Sequence, residues 1–366
     1  MTETSLSYNF ANLGFSEKIQ AEYDQIVKDF GFGSSSSDES LSYEPARVVK
    51  VDRGFPLVVA ASGSYRTELS SRLAKKARKD ALSRPAVGDW VVLSLPKDHE
   101  FGIVEAFLPR HSSLKRRDPV ERKSAGFAPA QQAVGQVVVS NIDIIFVVQA
   151  LGEATCKVNL ARLERELVLA YQSGAQPVII LTKVDLCPDP EASVRLASIS
   201  AANAPIIAES AVTGLGIDEI RRLIGPGVTA SLLGASGVGK STLINRLLGH
   251  ERQQTGAVRE SDDRGRHVTV ARELIELPLE TTPEGTSGGG VIIDTPGMRS
   301  LALWEADRGL SLAFPEIAEA SDGCKFLDCS HDNEPKCGVK EAVKAGHIDE
   351  ARYQRYLNLV RELAEA

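Results

Sequence analysis

The run Gly234-Ala235-Ser236-Gly237-Val238-Gly239-Lys240-Ser241-Thr242 fits the pattern G-x-x-x-x-G-K-[ST]. Glycines in such a loop let successive backbone N–H groups turn inward on a phosphate. The lysine bridges β- and γ-phosphate oxygens, and the hydroxyl after it takes a Mg²⁺ position. The loop follows an apolar start at Leu232 and Leu233 and precedes a helical run over 243–248, the strand-to-helix setting this chemistry needs. A glycine-rich turn capping an ordinary helix is the bland alternative. Everything else in the chain is therefore read against a bound nucleotide.

A second constellation concerns the base. The apolar run 178–181 ends in Thr182-Lys183-Val184-Asp185, and Ser210-Ala211 follows about 25 residues later. A carboxylate at a strand end accepts two hydrogen bonds from guanine N1–H and N2–H₂, a donor pair that adenine lacks. Asp185 is the candidate reader, Lys183 the side chain lying over the base, and Ser210-Ala211 the source of a backbone N–H for guanine O6. Alone, T-K-x-D is a weak signal that also fits a helix start; in one chain with S-A and a phosphate loop it becomes specific. After the loop comes Gly290-Val291-Ile292-Ile293-Asp294-Thr295-Pro296-Gly297. Here Asp294 is the candidate to hold Mg²⁺ through water, and Gly297 N–H the candidate γ-phosphate sensor. In the polar stretch 253–270, Thr269 is the candidate second Mg²⁺ hydroxyl.

The spacing Cys324-x₄-Cys329-x-His331-x₅-Cys337 offers three thiolates and one imidazole, the ligand set of a closed structural zinc site with no open catalytic position. Free thiols are the alternative. The other two of the five cysteines, Cys156 and Cys187, read as ordinary buried residues.

The elements that must position these groups follow from composition and periodicity. With 366 residues, 43 % apolar and 25 % charged, the chain suits a soluble protein of two or three domains. No apolar run reaches the ~18 residues of a membrane span, and the start shows no secretory signal. A cytoplasmic monomer without membrane contact is expected. Residues 16–30 predict an amphipathic helix capped by Ser16, with Ile19, Tyr23, Ile26 and Phe30 on one stripe; the serine-rich run 33–40 reads as a linker. Residues 1–43 match no functional motif, and their acidity argues against an RNA grip. From 44 to about 109, short β-type runs at 46–51, 56–60, 90–93 and 102–106 predict an OB-fold barrel. Residues 44–123 hold 17 Lys+Arg against 10 Asp+Glu, while the whole chain has a net charge of −7. Basic clusters at 72–84 and 115–117 suit RNA phosphates; a solvated charged face is the alternative. Residues 134–233 alternate strands (137–139, 144–148, 178–181) with helices (159–173 and one from about 216). A terminal helix is expected over 348–363, packing through Tyr353, Tyr356, Leu357 and Val360. The expected parts are an extension and linker at 1–43, an OB-fold at 44–125, a GTPase domain at 126–306 and an α-helical zinc module at 307–366.

In Ras-like GTPases the phosphate loop precedes the guanine motif. Here the guanine motif comes first, a circular permutation that a doubly wound α/β sheet tolerates when the old termini lie close together. With this order the chain resembles the ribosome small-subunit-dependent GTPase A family (RsgA, YjeQ) over roughly residues 45–362, and the stretch 324–337 matches that family's zinc module. The resemblance implies a GTPase that binds the small ribosomal subunit and its rRNA late in maturation, carries one structural Zn²⁺ and Mg²⁺ with GTP, and leaves after hydrolysis. It also suggests His267, in the segment Gly265-Arg266-His267-Val268-Thr269-Val270, as the catalytic histidine beside Lys240 and Thr269; a surface histidine in a loop is the alternative. Three departures stand out. Met298 occupies the place of the water-orienting glutamine of Ras-like enzymes and cannot polarise water, so slow intrinsic turnover is expected. Valines 268 and 270 replace family threonines. Thr182 replaces an asparagine; it keeps one hydroxyl but is expected to lose the amide tie between base site and phosphate loop. The competing reading is a GTP-switched module for another RNA or a protein, with hydrolysis incidental.

Overall fold

The computed structural model describes residues 8–32, 41–52, 55–96, 101–117, 135–152, 156–250, 272–282, 285–294, 301, 303 and 306–365. In chain order these form α1 (Glu17–Phe30), β1 (Leu41–Asp52), β2 (Phe55–Ala60), β3 (Gly63–Leu69), α2 (Ser71–Lys79), β4 (Trp90–Pro96), β5 (Gly102–Phe107), β6 (Ser113–Arg117), β7 (Gly135–Ser140), β8 (Ile144–Ala150), α3 (Leu160–Ser173), β9 (Gln176–Thr182), α4 (Pro190–Ser198), β10 (Ile206–Ala208), α5 (Ile217–Leu223), β11 (Thr229–Leu233), α6 (Lys240–Leu248), β12 (Glu273–Glu276), β13 (Leu279–Thr282), β14 (Gly285–Gly288), β15 (Val291–Asp294), α7 (Asp307–Ala313), α8 (Pro315–Ser321), α9 (Gly338–Lys344) and α10 (Glu350–Glu365). The chain divides into two compact units. One holds Met1–Ile144, Ile217–Leu232 and Ser241–Met298; the other holds Ile145–Gly216, Leu233–Lys240 and Arg299–Ala366.

In the first unit, β1 pairs with both β2 and β4, so the order β1-β2-β3-β5-β4 closes on itself as a five-stranded barrel. Alternate inward residues fill it: Ala46, Val48, Val58, Ala60, Val91, Leu93 and Val104, with Leu73 of α2 sealing one end. The spacing of Leu73 and Ala77 turns one face of α2 inward and leaves Arg72, Lys75, Lys76, Arg78 and Lys79 exposed. The other face of the barrel is covered by the N-terminal segment. Ser16 caps α1 by accepting from Ile19 N–H at 3.4 Å. Ile19 and Tyr23 are buried as the stripe requires, whereas Phe30 is 51 % exposed and lies under the Arg72 guanidinium, 4.1 Å from its ring centre. Phe10 and Phe15 pack on Trp90, and the fully buried Arg47 donates to the carbonyls of Leu13 and Asn141. Residues 8–30 thus complete the barrel's core. In the same unit β15 pairs in parallel with β11 and antiparallel with β12, and β12 meets β1 at Lys50. β7, read from sequence as a strand over 137–139, pairs with β6.

The second unit has the sheet order β10-β9-β8, with β9 and β10 parallel. Its strands read as continuous apolar runs because both faces are covered: Ile145, Val147, Val148, Ile179, Ile180 and Leu181 are fully buried. Asn159 caps α3, accepting from Arg162 N–H at 3.0 Å. The terminal helix α10 returns onto α3 through a charge cluster. Glu164, fully buried, accepts from Arg352 at 2.8 Å, from Arg355 at 2.6 Å and from Ser200 at 2.6 Å. One reading is corrected here. Cys156 and Cys187 are joined as a disulfide, with their Cα atoms 5.4 Å apart. They lie 31 residues apart on two loops, and nothing in their local sequence marks them as partners.

Candidate nucleotide site and metal cluster

The phosphate loop leaves the buried end of β11 and runs into α6 at Lys240. Gly234 has φ +152°, and a Cβ there would lie 2.5 Å from the Val148 carbonyl oxygen, so only glycine lets the loop pass that strand. The Lys240 ammonium donates to the loop's own Gly234 and Ala235 carbonyls at 2.7 and 2.6 Å.

The guanine motif reaches the same loop within the second unit. The Thr182 hydroxyl donates to Val238 O at 2.6 Å, and Lys183 Nζ donates to Gly237 O at 3.0 Å. The amide is absent as expected, and the hydroxyl that threonine keeps makes its own tie to the loop. Gly239 lies beside this hydroxyl, where a Cβ would stand in ordinary contact, 3.5 Å from Thr182 Oγ1. Lys183 adopts φ +60°, an uncommon left-handed conformation for a non-glycine residue and one that clusters at functional sites. Asp185 accepts from Ser210 Oγ at 2.6 Å, which fixes the carboxylate's orientation. Ser210 is itself held from both sides, its N–H donating to Leu215 O at 3.0 Å and its O accepting from Gly214 N–H at 2.8 Å. Ala211 follows in the same turn.

Ser241 and Thr242 lie in the first turn of α6, and Asp294 ends β15; Ser241, Thr242 and Asp294 belong to the first unit. Gly297, Met298, His267, Val268, Thr269 and Val270 lie outside the described residues.

Two carboxylates escaped the sequence reading. Glu166 on α3 is 8 % exposed, and burial pushes it up to about 7 against the pull of Arg162, the Gln149 side chain, Lys240 and Arg165. Glu209, 1 % exposed, is likewise raised to about 7, first by burial and then by the charge of Asp185. The available signal was register: Glu209 stands two residues beyond Ile207, on the buried parity of β10.

The metal-ligand spacing closes in space. The ligand atoms of Cys324, Cys329, His331 and Cys337 all lie within 4.8 Å of one another. Cys324 Sγ is 3.8 Å from Cys337 Sγ, and each of these sulfurs is 3.5 Å from His331 Nδ1. A tetrahedral ion with bonds of ~2.3 Å to sulfur and ~2.0 Å to nitrogen needs separations of about 3.8 and 3.5 Å; Cys324, Cys337 and His331 stand at those separations, with the Cys329 sulfur within 4.8 Å of them as the fourth donor. His331, at φ +63°, turns its carbonyl to the Tyr353 hydroxyl of α10 at 2.6 Å.

With this geometry in place, the comparisons are specific. The RsgA GTPase family model matches residues 108–304. The chain belongs to the RsgA GTPase family. Membership makes it a GTP hydrolase, and its motif order is that of a circularly permuted one. Among RsgA relatives, the small ribosomal subunit biogenesis GTPase RsgA of Syntrophotalea carbinolica is 40 % identical over 347 residues, covering 93 % of this chain and 90 % of that protein. RsgA 1 of Oceanobacillus iheyensis is 43 % identical over 293 residues, covering 79 % and 77 %. The crystal structure of YjeQ from Thermotoga maritima aligns with TM-score 0.62 at 26 % identity, covering 89 % of this chain and all of that one. YloQ, described as a circularly permuted GTPase, shares the fold with TM-score 0.58, over 88 % of this chain and 96 % of that one. Among the described residues, no helix is long and apolar enough to cross a membrane.

Proposed function

We propose that this RsgA-family GTPase binds the small ribosomal subunit and its rRNA, assists late maturation of the subunit, and hydrolyses GTP to GDP and phosphate with turnover stimulated by the subunit. The observation that carries the reading is the hydrogen-bonded joining of Thr182 and Lys183 to the phosphate loop, with Asp185 oriented by Ser210 beside it. Relatives about 40 % identical over most of their length bear the name small ribosomal subunit biogenesis GTPase.

In this reading Asp185 accepts from the guanine edge, Ser210 and Ala211 line O6, and Lys183 covers the base. Residues 234–242 cradle the phosphates, with Lys240 moving from the loop carbonyls to phosphate oxygens. Ser241, Thr269 and, through water, Asp294 would hold Mg²⁺, which would supply charge neutralisation at the phosphates. Gly297 senses the γ-phosphate, and His267 assists the attacking water in the subunit-bound protein. The exposed basic face of α2 meets rRNA phosphates, in a barrel domain at 44–125. The GTPase domain spans 126–306. The Cys₃His cluster holds one structural Zn²⁺, which supplies folding energy to the module at 307–366. The protein works as a cytoplasmic monomer.

The test is steady-state GTP hydrolysis by the purified protein, alone and with small or large ribosomal subunits. Stimulation by small subunits alone is expected. A rate unchanged by either subunit would refute the ribosomal assignment and favour a GTP-switched module for another RNA or protein, consistent with Met298. Asp185→Asn is expected to move preference from GTP to XTP, since an amide there meets the xanthine carbonyl.

A further inference from the structure

The bond between Cys156 and Cys187 closes on the guanine motif. Cys187 stands two residues beyond Asp185 and ends the 3₁₀ turn Val184–Leu186 that carries this carboxylate, its N–H donating to Val184 O at 3.1 Å. Cys156 lies beyond the end of β8, where Leu151 N–H donates to Thr182 O at 2.9 Å. The Cys156 carbonyl accepts from Ser193 Oγ at 2.7 Å, and that hydroxyl is 3.7 Å from Cys187 Sγ. The turn around Asp185 is thus held at its carboxylate by the Ser210 hydroxyl and at its end by the covalent bridge.

The bridge is placed to open and close. Cys187 is 8 % exposed, but Cys156 is half-buried beside the exposed Lys157, so a thiol can approach from the Cys156 side. Cys156 is held at φ +42°, a left-handed conformation that L side chains rarely adopt, and release of its sulfur lets that backbone relax. In the cytoplasm most thiols are kept reduced, and the disulfides that do form are usually transient and catalytic or redox-sensing. We propose that Cys156 and Cys187 form a dithiol–disulfide switch that sets how tightly the base site holds guanine nucleotides. The thiolate of a small dithiol attacks Cys156 Sγ, and Cys187 leaves as a thiolate that takes up a proton. The reductant's second thiol then displaces Cys156 and closes its own disulfide, so that two electrons and two protons pass to the protein. Oxidised, the bridge fixes the Asp185 turn before nucleotide arrives, and this pre-organisation removes an ordering cost from binding. Reduced, the turn keeps Ser210 but loses its covalent anchor, and bound GDP leaves faster.

The proposal rests on Asp185 reading guanine in a cytoplasmic protein, so the experiment separates the two. Release of a fluorescent GDP analogue is measured for the purified chain oxidised, after dithiothreitol, and after reoxidation with oxidised glutathione. Thiol titration of the chelated, denatured chain checks each state, with three thiols before reduction and five after. Reduction is expected to speed release about five-fold, and reoxidation to restore the slow rate. Cys156→Ser and Cys187→Ser are expected to show the fast rate and no response to dithiothreitol. A wild type with one rate in both states overturns the proposal, as does a pair that oxidised glutathione fails to join. A variant that still responds overturns it too, since the effect then comes from Cys324, Cys329 and Cys337. Circular dichroism is expected to stay constant across the three states; a rate that rises only as helix is lost would mean a structural bridge and no switch. GTP and GDP bound no better than ADP in either state would sink the guanine reading and the proposal with it. A guanine-selective chain indifferent to reduction sinks the switch alone.

Discussion

Removing Glu164 tests how the C-terminal helix is fastened to the GTP-binding unit. Its carboxylate is fully buried and accepts four hydrogen bonds: one from Arg352, two from Arg355 and one from Ser200. Deleting one partner of a buried ion pair costs about 3–5 kcal/mol, because the remaining charge stays desolvated. Two features place Glu164→Ala at the lower end of that range. Arg352 keeps Glu316 and the Ala313 carbonyl, so only its Nη1 is orphaned. Arg355 is 19 % exposed at its side chain and can turn to water. Adding about 1 kcal/mol for the stranded, fully buried Ser200 hydroxyl gives an expected loss of about 3–4 kcal/mol. Glu164→Gln keeps the shape but turns an NH₂ towards a guanidinium, and is expected to cost about 2 kcal/mol. The assay is urea unfolding followed by circular dichroism, with the slope checked for constancy so that the midpoint reports stability. A double variant, Glu164→Leu with Arg352→Met, is expected to recover part of the loss by replacing paired charge with packing. A Glu164→Ala protein within 1 kcal/mol of wild type would refute the claim that this cluster secures α10.

Three further outcomes are expected. Chelating the Zn²⁺ proposed for the Cys₃His cluster, or substituting Cys337→Ser, is expected to expose residues 322–347 to limited proteolysis while GTP affinity stays within two-fold; simultaneous loss of GTP binding would contradict a purely structural role for the proposed ion. Glu166, raised to about 7 against an unfolded value near 4.3, contributes stability that is complete below the unfolded pKa and is lost as pH rises through about 7. In nucleotide-free protein, Glu166→Gln is therefore expected to gain about 3 kcal/mol relative to wild type between pH 5 and pH 8, and parallel pH profiles would contradict it. The Cys156–Cys187 bond closes a 31-residue separation, so Cys187→Ser is expected to cost roughly 3–4 kcal/mol in oxidised protein; five titratable thiols in the chelated, denatured, unreduced chain, rather than three, would disprove the bond.

The parts legible in the sequence were those whose chemistry is local. The phosphate loop, T-K-x-D and S-A are short because each gathers its backbone and side-chain groups from a few consecutive residues, and their order along the chain sufficed to indicate the permutation. The cysteine and histidine spacing was legible for the same reason, since fourteen residues can wrap one ion. Apolar runs gave β8, β9, β11 and β15, whose strands are buried on both faces. The strand β3 was passed over because only Thr67 along it is buried, leaving no apolar run to see.

What tertiary structure alone decided involves partners far apart in the chain. Glu164 meets Arg352 across 188 residues, and Arg47 meets Asn141 across 94. Local periodicity says that such residues are charged, not that they are buried together. The role of residues 8–30 was invisible for the same reason: Phe10, Leu13 and Phe15 acquire meaning only against Trp90 and Arg47. Thr182 shows the reverse case, where sequence comparison named a loss and geometry supplied the replacement through a hydroxyl that reaches Val238. Motifs announce which chemistry a chain carries; desolvation and long-range pairing, which set the strength of each charge and hydrogen bond, exist only once the chain is folded.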